Sequence, residues 1–206
     1  MKVAPEARKL VIISLLSLII SLYAAKGFTP LYMVSFISAV VLLFSLYFFR
    51  DPKRNPNFKA NEISSPGDGT VISISDEGSQ MMVIRIFLSI FDTHIQRSPV
   101  KGRIKEIKFY PGRFSIAYKH KAKDNQRNMI KIVAQNGKEV WVEQIAGAIA
   151  RRINCYVRQG QEINNGEKIG IIYFGSQVAL YLPKDVKIKV KPKQKLKAAV
   201  DVVAEW

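Results

Sequence analysis

Few residues in this chain of 206 could act as a nucleophile, a base or a metal ligand. It has two histidines and a single cysteine, Cys155, which excludes an intrachain disulfide framework and a multi-cysteine zinc site. Neither the phosphate-binding pattern GxxxxGK[ST] nor the dinucleotide pattern GxGxxG occurs. Any chemistry must therefore come from isolated imidazole, carboxylate and hydroxyl groups.

Four such groups have distinctive neighbours. His94 ends an apolar run in FLSIFDTHIQRSPVKGRI, and Asp68 lies between glycines in SSPGDGTVI. Ser176 follows Gly175 between two apolar runs in IIYFGSQVALYLP, and His120 lies in the charged segment YKHKAKDN. Each has an ordinary structural explanation: a satisfied, partly buried histidine, a turn aspartate, a tight-turn serine and an exposed loop histidine. Residue type alone leaves both interpretations open.

The elements that must position these groups are mostly short strands. Asn136-Gly137 lies between two of them and tolerates positive φ, which makes it the best local hairpin signal. A helical stretch is expected only around residues 146–152. The pattern predicts a mainly β fold, a compact antiparallel sandwich or barrel-like domain over residues 50–206. The β-branched or alternating runs cover residues 70–75, 81–88, 102–109, 129–134, 139–145, 153–157, 168–174, 177–182 and 186–190.

Two uncharged runs, residues 10–25 and 28–49, precede this domain. The second is long enough to cross a hydrocarbon core of about 30 Å, whereas the first spans only with bilayer thinning or snorkelling, or is re-entrant. A cleaved signal peptide is the alternative, disfavoured by Tyr23 and by the second run. Residues 1–49 are thus predicted to form a transmembrane helical hairpin. Basic residues flank both ends, which places the β domain at the cytoplasmic side of the cell membrane.

The chain carries 32 Lys and Arg against 16 Asp and Glu, a formal charge of +16, with 48% apolar residues. That apolar fraction excludes a disordered basic tail, and the charge favours a polyanionic partner. Residues 50–206 alone carry +13. No helix-turn-helix, zinc-finger spacing or basic-aromatic sheet motif is present, so an anionic membrane is expected and nucleic acid is not.

Six segments, taken in order, resemble the phosphatidylserine decarboxylase proenzymes, specifically their short prokaryotic class with its archaeal relatives. Any one motif is weak, but six in the right order across nearly the whole chain are strong. They are FFRDPKR (48–54), SPGDG (65–69), FLSIFDTHIQRSPVKGRI (87–104), DNQRN (124–128), QIAGAIARRI (144–153) and GEKIGIIYFGSQVALYLP (166–183).

The resemblance implies a self-processing enzyme, a carboxy-lyase cleaved between Gly175 and Ser176. The Ser176 hydroxyl attacks the preceding carbonyl to give an ester, and β-elimination then yields a dehydroalanine that hydrolyses to a covalent pyruvoyl group. The products are a β chain, residues 1–175, and an α chain, residues 176–206. The resemblance implies no other cofactor and no metal.

Roles follow for the other site residues. A hydroxyl needs a base within hydrogen-bond reach and an acid that orients the base. The family motifs place His94 as that base and Asp68 as its orienting carboxylate. The pyruvoyl group then supplies the electron sink for loss of carbon dioxide, with His94 as the proton donor. The implied reaction converts the phospholipid phosphatidylserine to phosphatidylethanolamine.

One position departs from the longer members of the family, which carry a second histidine three residues after the first. Here that position is Arg97, and the processing serine lies in FGSQ rather than in a leucine-glycine-serine-threonine sequence. Either His94 serves both steps, or Arg97 acts electrostatically on the developing oxyanion. Arg97 as a plain surface charge is the third alternative.

Other functions remain as alternatives at this point. The substrate could be an ether lipid, archaetidylserine, because nothing in the sequence selects the glycerol linkage. A non-catalytic, membrane-anchored domain that binds anionic lipid is the second alternative. A lipoyl-like carrier, suggested by residues 159–170, lacks a suitable lysine at a hairpin tip. Whether the chain forms a homo-oligomer is left open.

Overall fold

The computed structural model describes residues 2–77, 81–112, 125–147, 152–173 and 176–206. The chain forms two compact units, with the boundary between Lys53 and Arg54. The boundary thus falls four residues after the predicted end of the hairpin at residue 49.

The first unit is a helical hairpin. After a short 3-10 turn over Pro5–Ala7, helix α1 covers Arg8–Ala24 and helix α2 covers Leu31–Phe48. Serine hydroxyls join the two helices, because Ser17 and Ser38 lie 2.8 Å apart and Ser35 donates to Ser21 at 2.8 Å. Such small polar side chains allow close helix approach and satisfy each other in an apolar setting.

Both helices are long and apolar enough to cross a membrane, judged by length and composition. Mean hydropathy is 1.8 over Pro5–Ala24 and 2.2 over Leu31–Phe48. Helix α2 begins three residues later than the predicted run, because Pro30 lies at its N-cap, where the fixed φ of proline suits a helix start. The two ends of the hairpin are tied by strand β1, Lys2–Val3, which pairs with β2, Arg50–Asp51.

The second unit is built from antiparallel strands, which confirms the predicted mainly β class. Among the described residues, the largest sheet is a curled half-barrel with the order β11-β7-β8-β9-β13-β5-β4-β15. Two three-stranded sheets, β10-β12-β6 and β14-β16-β3, complete the unit. The strands are β3 Glu62–Ser64, β4 Gly69–Asp76, β5 Met81–Leu88, β6 Ile95–Arg97, β7 Gly102–Tyr110, β8 Arg127–Ala134, β9 Glu139–Ile145, β10 Ile153–Cys155, β11 Glu162–Ile163, β12 Lys168–Ile172, β13 Ser176–Pro183, β14 Lys187–Ile188, β15 Lys195–Leu196 and β16 Val202–Glu205.

The hairpin predicted at Asn136-Gly137 is confirmed. Strands β8 and β9 pair antiparallel across it, and Gly137 has a φ of 81°. The turn is closed from the Gly137 amide to the Ala134 carbonyl at 2.9 Å, and the Lys138 amide donates to the Asn136 side chain at 3.1 Å. Glycine and asparagine are favoured here because both tolerate the left-handed region.

Side-chain alternation along β13 separates the two faces of the large sheet. Val178, Leu180 and Leu182 are buried in the main core, whereas Ala179 and Tyr181 pack in a separate cluster on the other face. Because successive side chains of a strand point to opposite faces, Ser176 lies on the core face.

Some elements differ from the sequence-based expectation. Most of the helix expected around residues 146–152 lies outside the described residues, and Ala146 is not helical. Strands β3, β6, β11, β15 and β16 were not expected, because two to four residues are too few to show periodicity. Strand β6 matters most, since it directly follows His94.

Candidate active site

The turn over residues 66–69 positions Asp68 by tight backbone packing. A Cβ added at Gly69 would lie 2.2 Å from the Phe87 carbonyl oxygen, and one added at Gly67 would lie 2.8 Å from Val178 Cγ1. Only glycine permits such close approach. The two glycines therefore seat the Asp68 turn directly against strands β5 and β13.

The carboxylate of Asp68 is held by three donated hydrogen bonds. Arg54 Nη2 donates to Oδ2 at 2.7 Å and to Oδ1 at 3.0 Å, and the Ala198 amide donates to Oδ1 at 2.7 Å. The Arg54 and Asp68 side chains are only 11% and 12% exposed. Charge-assisted bonds in such a buried setting are strong and directional, so Asp68 is firmly fixed.

His94 is fully buried and has a defined tautomer. Its Nδ1 lies 3.0 Å from the Asp92 carbonyl oxygen. A carbonyl only accepts hydrogen bonds, so Nδ1 carries the proton and donates it. In the neutral ring the lone pair is then on Nε2. His94 therefore has the tautomer of a base acting through Nε2.

Ser176 begins strand β13, opposite Leu88 of β5, and is fully buried. Its Oγ has no hydrogen-bond partner within residues 2–77, 81–112, 125–147, 152–173 and 176–206. A buried hydroxyl without a partner costs about 1–3 kcal/mol, which a tight-turn serine would avoid by bonding to backbone. Gly175, the other residue of the predicted cleavage site, lies outside the described residues.

Backbone hydrogen bonds join the three segments. The His94 carbonyl accepts from the Ile172 amide at 3.2 Å, four residues before Ser176. The Arg97 amide donates to the Pro66 carbonyl at 2.9 Å, which ties strand β6 to the Asp68 turn. The structure thus brings the segments of Asp68, His94 and Ser176 to one region. An orienting role of Asp68 toward His94 stays a prediction, since the Asp68 carboxylate is bound by Arg54 and Ala198.

Sequence comparison decides the family of this site. A model of the family described as phosphatidylserine decarboxylase matches residues 41–204. The chain belongs to the phosphatidylserine decarboxylase family. It is 36% identical over 200 residues to a phosphatidylserine decarboxylase proenzyme of Paraburkholderia xenovorans, covering 94% of this chain and 92% of that protein. It is 38% identical over 172 residues to the proenzyme of Burkholderia vietnamiensis, covering 81% and 80%.

This confirms the family inferred from the six motifs and places the chain among phosphatidylserine decarboxylases, which are lyases. The comparisons do not assign roles to individual side chains. Within the described residues, no group of three or more His, Cys, Asp or Glu side chains could hold a metal ion. The roles of Ser176, His94, Asp68 and Arg97 therefore remain proposals that depend on geometry.

Arg97, at the position where longer phosphatidylserine decarboxylases carry a second histidine, is only 8% exposed. Its Nη1 donates to the Gly166 carbonyl at 3.0 Å, so its guanidinium is anchored on the turn before β12. This burial argues against a plain surface charge. An electrostatic contribution to catalysis stays a prediction.

The groups that hold the site residues in place were not predicted from the sequence. Arg54 lies in the motif FFRDPKR, which could have drawn attention to it, yet nothing local links it to a carboxylate fourteen positions away. The Asp92 carbonyl is a backbone atom and leaves no trace in residue type. His120 lies outside the described residues.

The face of the large sheet opposite Ser176 carries a separate cleft of about 350 Å³. In it Glu143 is 5% exposed, accepts from the Tyr181 hydroxyl at 2.8 Å and pairs with Arg127 at 3.2 Å. Burial raises the pKa of Glu143 and outweighs the lowering effects of Tyr181 and Arg127. Burial also raises the pKa of Tyr181, and the neighbouring Glu143 adds to this.

This pKa shift predicts a pH-dependent stability term. The folded state binds the Glu143 proton more tightly than the unfolded state, so this term lowers the unfolding free energy as pH rises from the usual glutamate value through the folded pKa. We expect the stability of the wild type relative to Glu143→Gln to fall over that window and then level off. Urea unfolding in detergent at a series of pH values measures it. If the unfolding free energy of the wild type minus that of Glu143→Gln stayed flat or rose over this window, the raised pKa of Glu143 would be contradicted.

Proposed function

We propose that this chain is a self-processing, pyruvoyl-dependent decarboxylase that converts phosphatidylserine to phosphatidylethanolamine and carbon dioxide. The observation that carries the proposal is the buried Ser176 Oγ without a described partner, at the start of β13. Beside its segment lies His94, whose Nδ1 donates to a carbonyl and whose Nε2 is therefore the basic atom. Membership of the phosphatidylserine decarboxylase family supports the same conclusion.

Processing begins when Ser176 Oγ attacks the Gly175 carbonyl carbon while His94 Nε2 accepts the hydroxyl proton. The C–N bond breaks, the nitrogen of residue 176 leaves as an amine, and an ester remains. Removal of the Cα proton of residue 176 expels the Gly175 carboxylate and leaves a dehydroalanine. Water then hydrolyses its imine tautomer, which releases ammonia and leaves the pyruvoyl group at the start of the α chain.

The surroundings of Ser176 fit this group, because an unpartnered oxygen already lies on the dry core face of the sheet. Once formed, the pyruvoyl carbonyl supplies an electron sink for the loss of carbon dioxide. His94 holds a proton that it can return to the substrate carbon. Arg54 and the Ala198 amide keep the Asp68 carboxylate at the edge of this region.

The rest of the chain suits a substrate that stays in a bilayer. We propose that helices α1 and α2 anchor the protein in the cell membrane, with the β domain at the cytoplasmic side, since basic residues flank both ends of the hairpin. The excess positive charge of the β domain then attracts anionic lipid headgroups.

Decarboxylation of a defined lipid tests the function. The purified full chain is reconstituted in vesicles that contain phosphatidylserine labelled in the serine carboxyl, or its ether-linked counterpart, and released carbon dioxide is counted. Release from the ester lipid is expected. Release from the ether lipid alone would identify the other substrate class. Tight binding without release from either lipid would indicate a non-catalytic lipid-binding domain.

A lysine edge flanks the site, formed by Lys191, Lys193, Lys195 and Lys197. All four side chains are exposed, and within the part of the chain that the structure describes none of them forms an ion pair. Strand β15, which contains Lys195, pairs with β4 next to Asp68, and the amide of Ala198, directly after Lys197, binds the Asp68 carboxylate. Anionic headgroups gathered by the lysine edge would thus lie beside the site.

We expect neutralisation of the lysine edge, Lys→Gln at all four positions, to raise the phosphatidylserine fraction needed for half-maximal rate by about tenfold or more, since a well-placed lysine contributes about 1 kcal/mol. Chain cleavage, which needs no lipid, should be unaffected. The control is the same change at the exposed residues Lys59, Lys101, Lys105 and Lys108. The phosphatidylserine fraction needed for half-maximal rate is measured for both quadruple variants at several salt concentrations. An equal increase in the two variants would contradict a role of the lysine edge.

A further inference from the structure

Three buried side-chain amides form a continuous hydrogen-bonded chain that ends on His94. Asn128 Nδ2 donates to Gln144 Oε1 at 3.0 Å, and Gln144 Nε2 donates to Gln96 Oε1 at 2.8 Å. Gln96 Nε2 then donates to the His94 carbonyl at 2.7 Å. The three amide side chains are at most 3% exposed. We call Asn128, Gln144 and Gln96 the amide relay.

The direction of the amide relay is set at its His94 end. A backbone carbonyl accepts only, so Gln96 must present its NH₂ group to His94 and its oxygen to Gln144. Gln144 must then present its NH₂ group to Gln96 and its oxygen to Asn128. Each amide therefore has one orientation that satisfies its neighbour, which fixes the rotamers of all three side chains.

The amide relay connects the two sheets that carry the reacting groups. Asn128 in β8 and Gln144 in β9 point into the core from the large sheet, on the same face as Ser176. Gln144 pairs directly with Val178, two residues after Ser176. Gln96 lies in β6 of a small sheet, two residues after His94. The relay thus spans the gap between the strand of the nucleophile and the segment of the base.

Space for the relay is made by Gly170 of strand β12. A Cβ at this position would lie 2.6 Å from Gln144 Nε2 and 2.5 Å from the Asn154 carbonyl oxygen. An apolar core would stabilise the junction equally well without three buried amides, because each must keep its partner or lose about 1–3 kcal/mol. A polar chain at this place therefore indicates a requirement for precise position rather than for stability.

We propose that the amide relay is a positioning device that holds the His94 backbone, and with it the imidazole, in register with Ser176 for self-processing. The inference rests on the proposed function. The His94 carbonyl is held from one side by the Ile172 amide and from the other by Gln96, so both bonds together set the location of the ring. Gln96, Gln144 and Asn128 act through His94, because Gln96 bonds to the His94 carbonyl and each of the other two bonds to its neighbour in the relay.

The test is Gln144→Glu, which keeps size and shape but removes the donor to Gln96. A misplacement of about 1 Å can slow a reaction about 100-fold, so cleavage near neutral pH should slow by about tenfold to 100-fold. Burial raises the pKa of the introduced carboxyl, and its protonated form restores a donor. The cleavage rate of this variant relative to the wild type at the same pH should therefore recover as pH falls, because the rest of the site is the same in both chains.

Two further variants make the result specific. Asn128→Asp, at the far end of the relay, should show a smaller slowing with the same recovery at low pH. Gln161→Glu is the control, because Gln161 is partly exposed and its side-chain oxygen accepts from the Arg158 amide at 3.1 Å, which a carboxylate does equally well. Its cleavage rate and pH profile should match the wild type. Thermal unfolding checks that each variant is folded.

The outcomes separate the two claims. Cleavage of Gln144→Glu and Asn128→Asp at the wild-type rate with the wild-type pH profile would overturn the relay and leave the proposed function standing. Slowing of both folded variants that does not recover relative to the wild type at low pH would also overturn it, since that marks a purely structural role. A wild-type chain that never cleaves would overturn the proposed function and, with it, the relay.

Discussion

Replacing Ser176 with alanine should leave the chain in one piece and abolish decarboxylation. The variant keeps the buried backbone of strand β13 but has no hydroxyl to attack the Gly175 carbonyl, so neither the ester nor the pyruvoyl group can form. Denaturing electrophoresis and carbon dioxide release from phosphatidylserine vesicles measure both effects. Both should fall below detection.

The matched control is Ser98→Ala. Ser98 is equally buried and lies in the same region, but its hydroxyl is satisfied by the Val100 carbonyl at 2.7 Å. This variant should cleave and decarboxylate, with a loss of stability of about 1–3 kcal/mol from the missing bond. Carbon dioxide release by Ser176→Ala at the rate of the control would show that the pyruvoyl assignment is wrong.

Replacing His94 with glutamine should slow self-cleavage by about 100-fold to 10,000-fold, the usual contribution of a general base. An amide cannot accept the proton of the Ser176 hydroxyl, although it fills a similar volume in this fully buried place. Cleavage is followed over days by intact mass. Turnover per cleaved chain, measured on the fraction that does mature, reports the separate role of His94 as proton donor.

Arg97→Gln distinguishes the two explanations for the missing second histidine. Because Arg97 is anchored on the Gly166 carbonyl, we expect its loss to slow cleavage less than the loss of His94. Such a result supports His94 as the base in both steps. If the His94→Gln variant cleaved at the wild-type rate and the Arg97→Gln variant did not cleave, the assignment of His94 as the base would be contradicted.

Local patterns were sufficient for much of the fold. Strands β5 and β9 have the predicted bounds, because each has an uninterrupted run of β-branched or alternating residues. The turn between β8 and β9 follows from the tolerance of Asn136-Gly137 for positive φ. Strand β6 escaped prediction, because Ile95–Arg97 is too short for a period and owes its pairing to β12, more than seventy residues later.

The site shows the same division between local and distant causes. Its serine, histidine and aspartate could be named from motifs that resemble a family. The groups that hold them could not, since Arg54 and Ala198 are 14 and 130 positions away from Asp68 in the sequence. The amide relay could not be predicted from the sequence for a related reason. Gln96, Gln144 and Asn128 are single polar residues on three strands, and only the packing of two sheets places them in contact.

The intact mass of the purified wild-type chain tests self-processing most directly. We expect two polypeptides, residues 1–175 and residues 176–206, with the smaller one lighter by one ammonia than a peptide that begins with serine. Borohydride should add two hydrogens to the smaller chain, as expected for a ketone at its start. A single unprocessed chain of 206 residues in a preparation that decarboxylates phosphatidylserine would contradict the assignment of Ser176 as the source of the catalytic group.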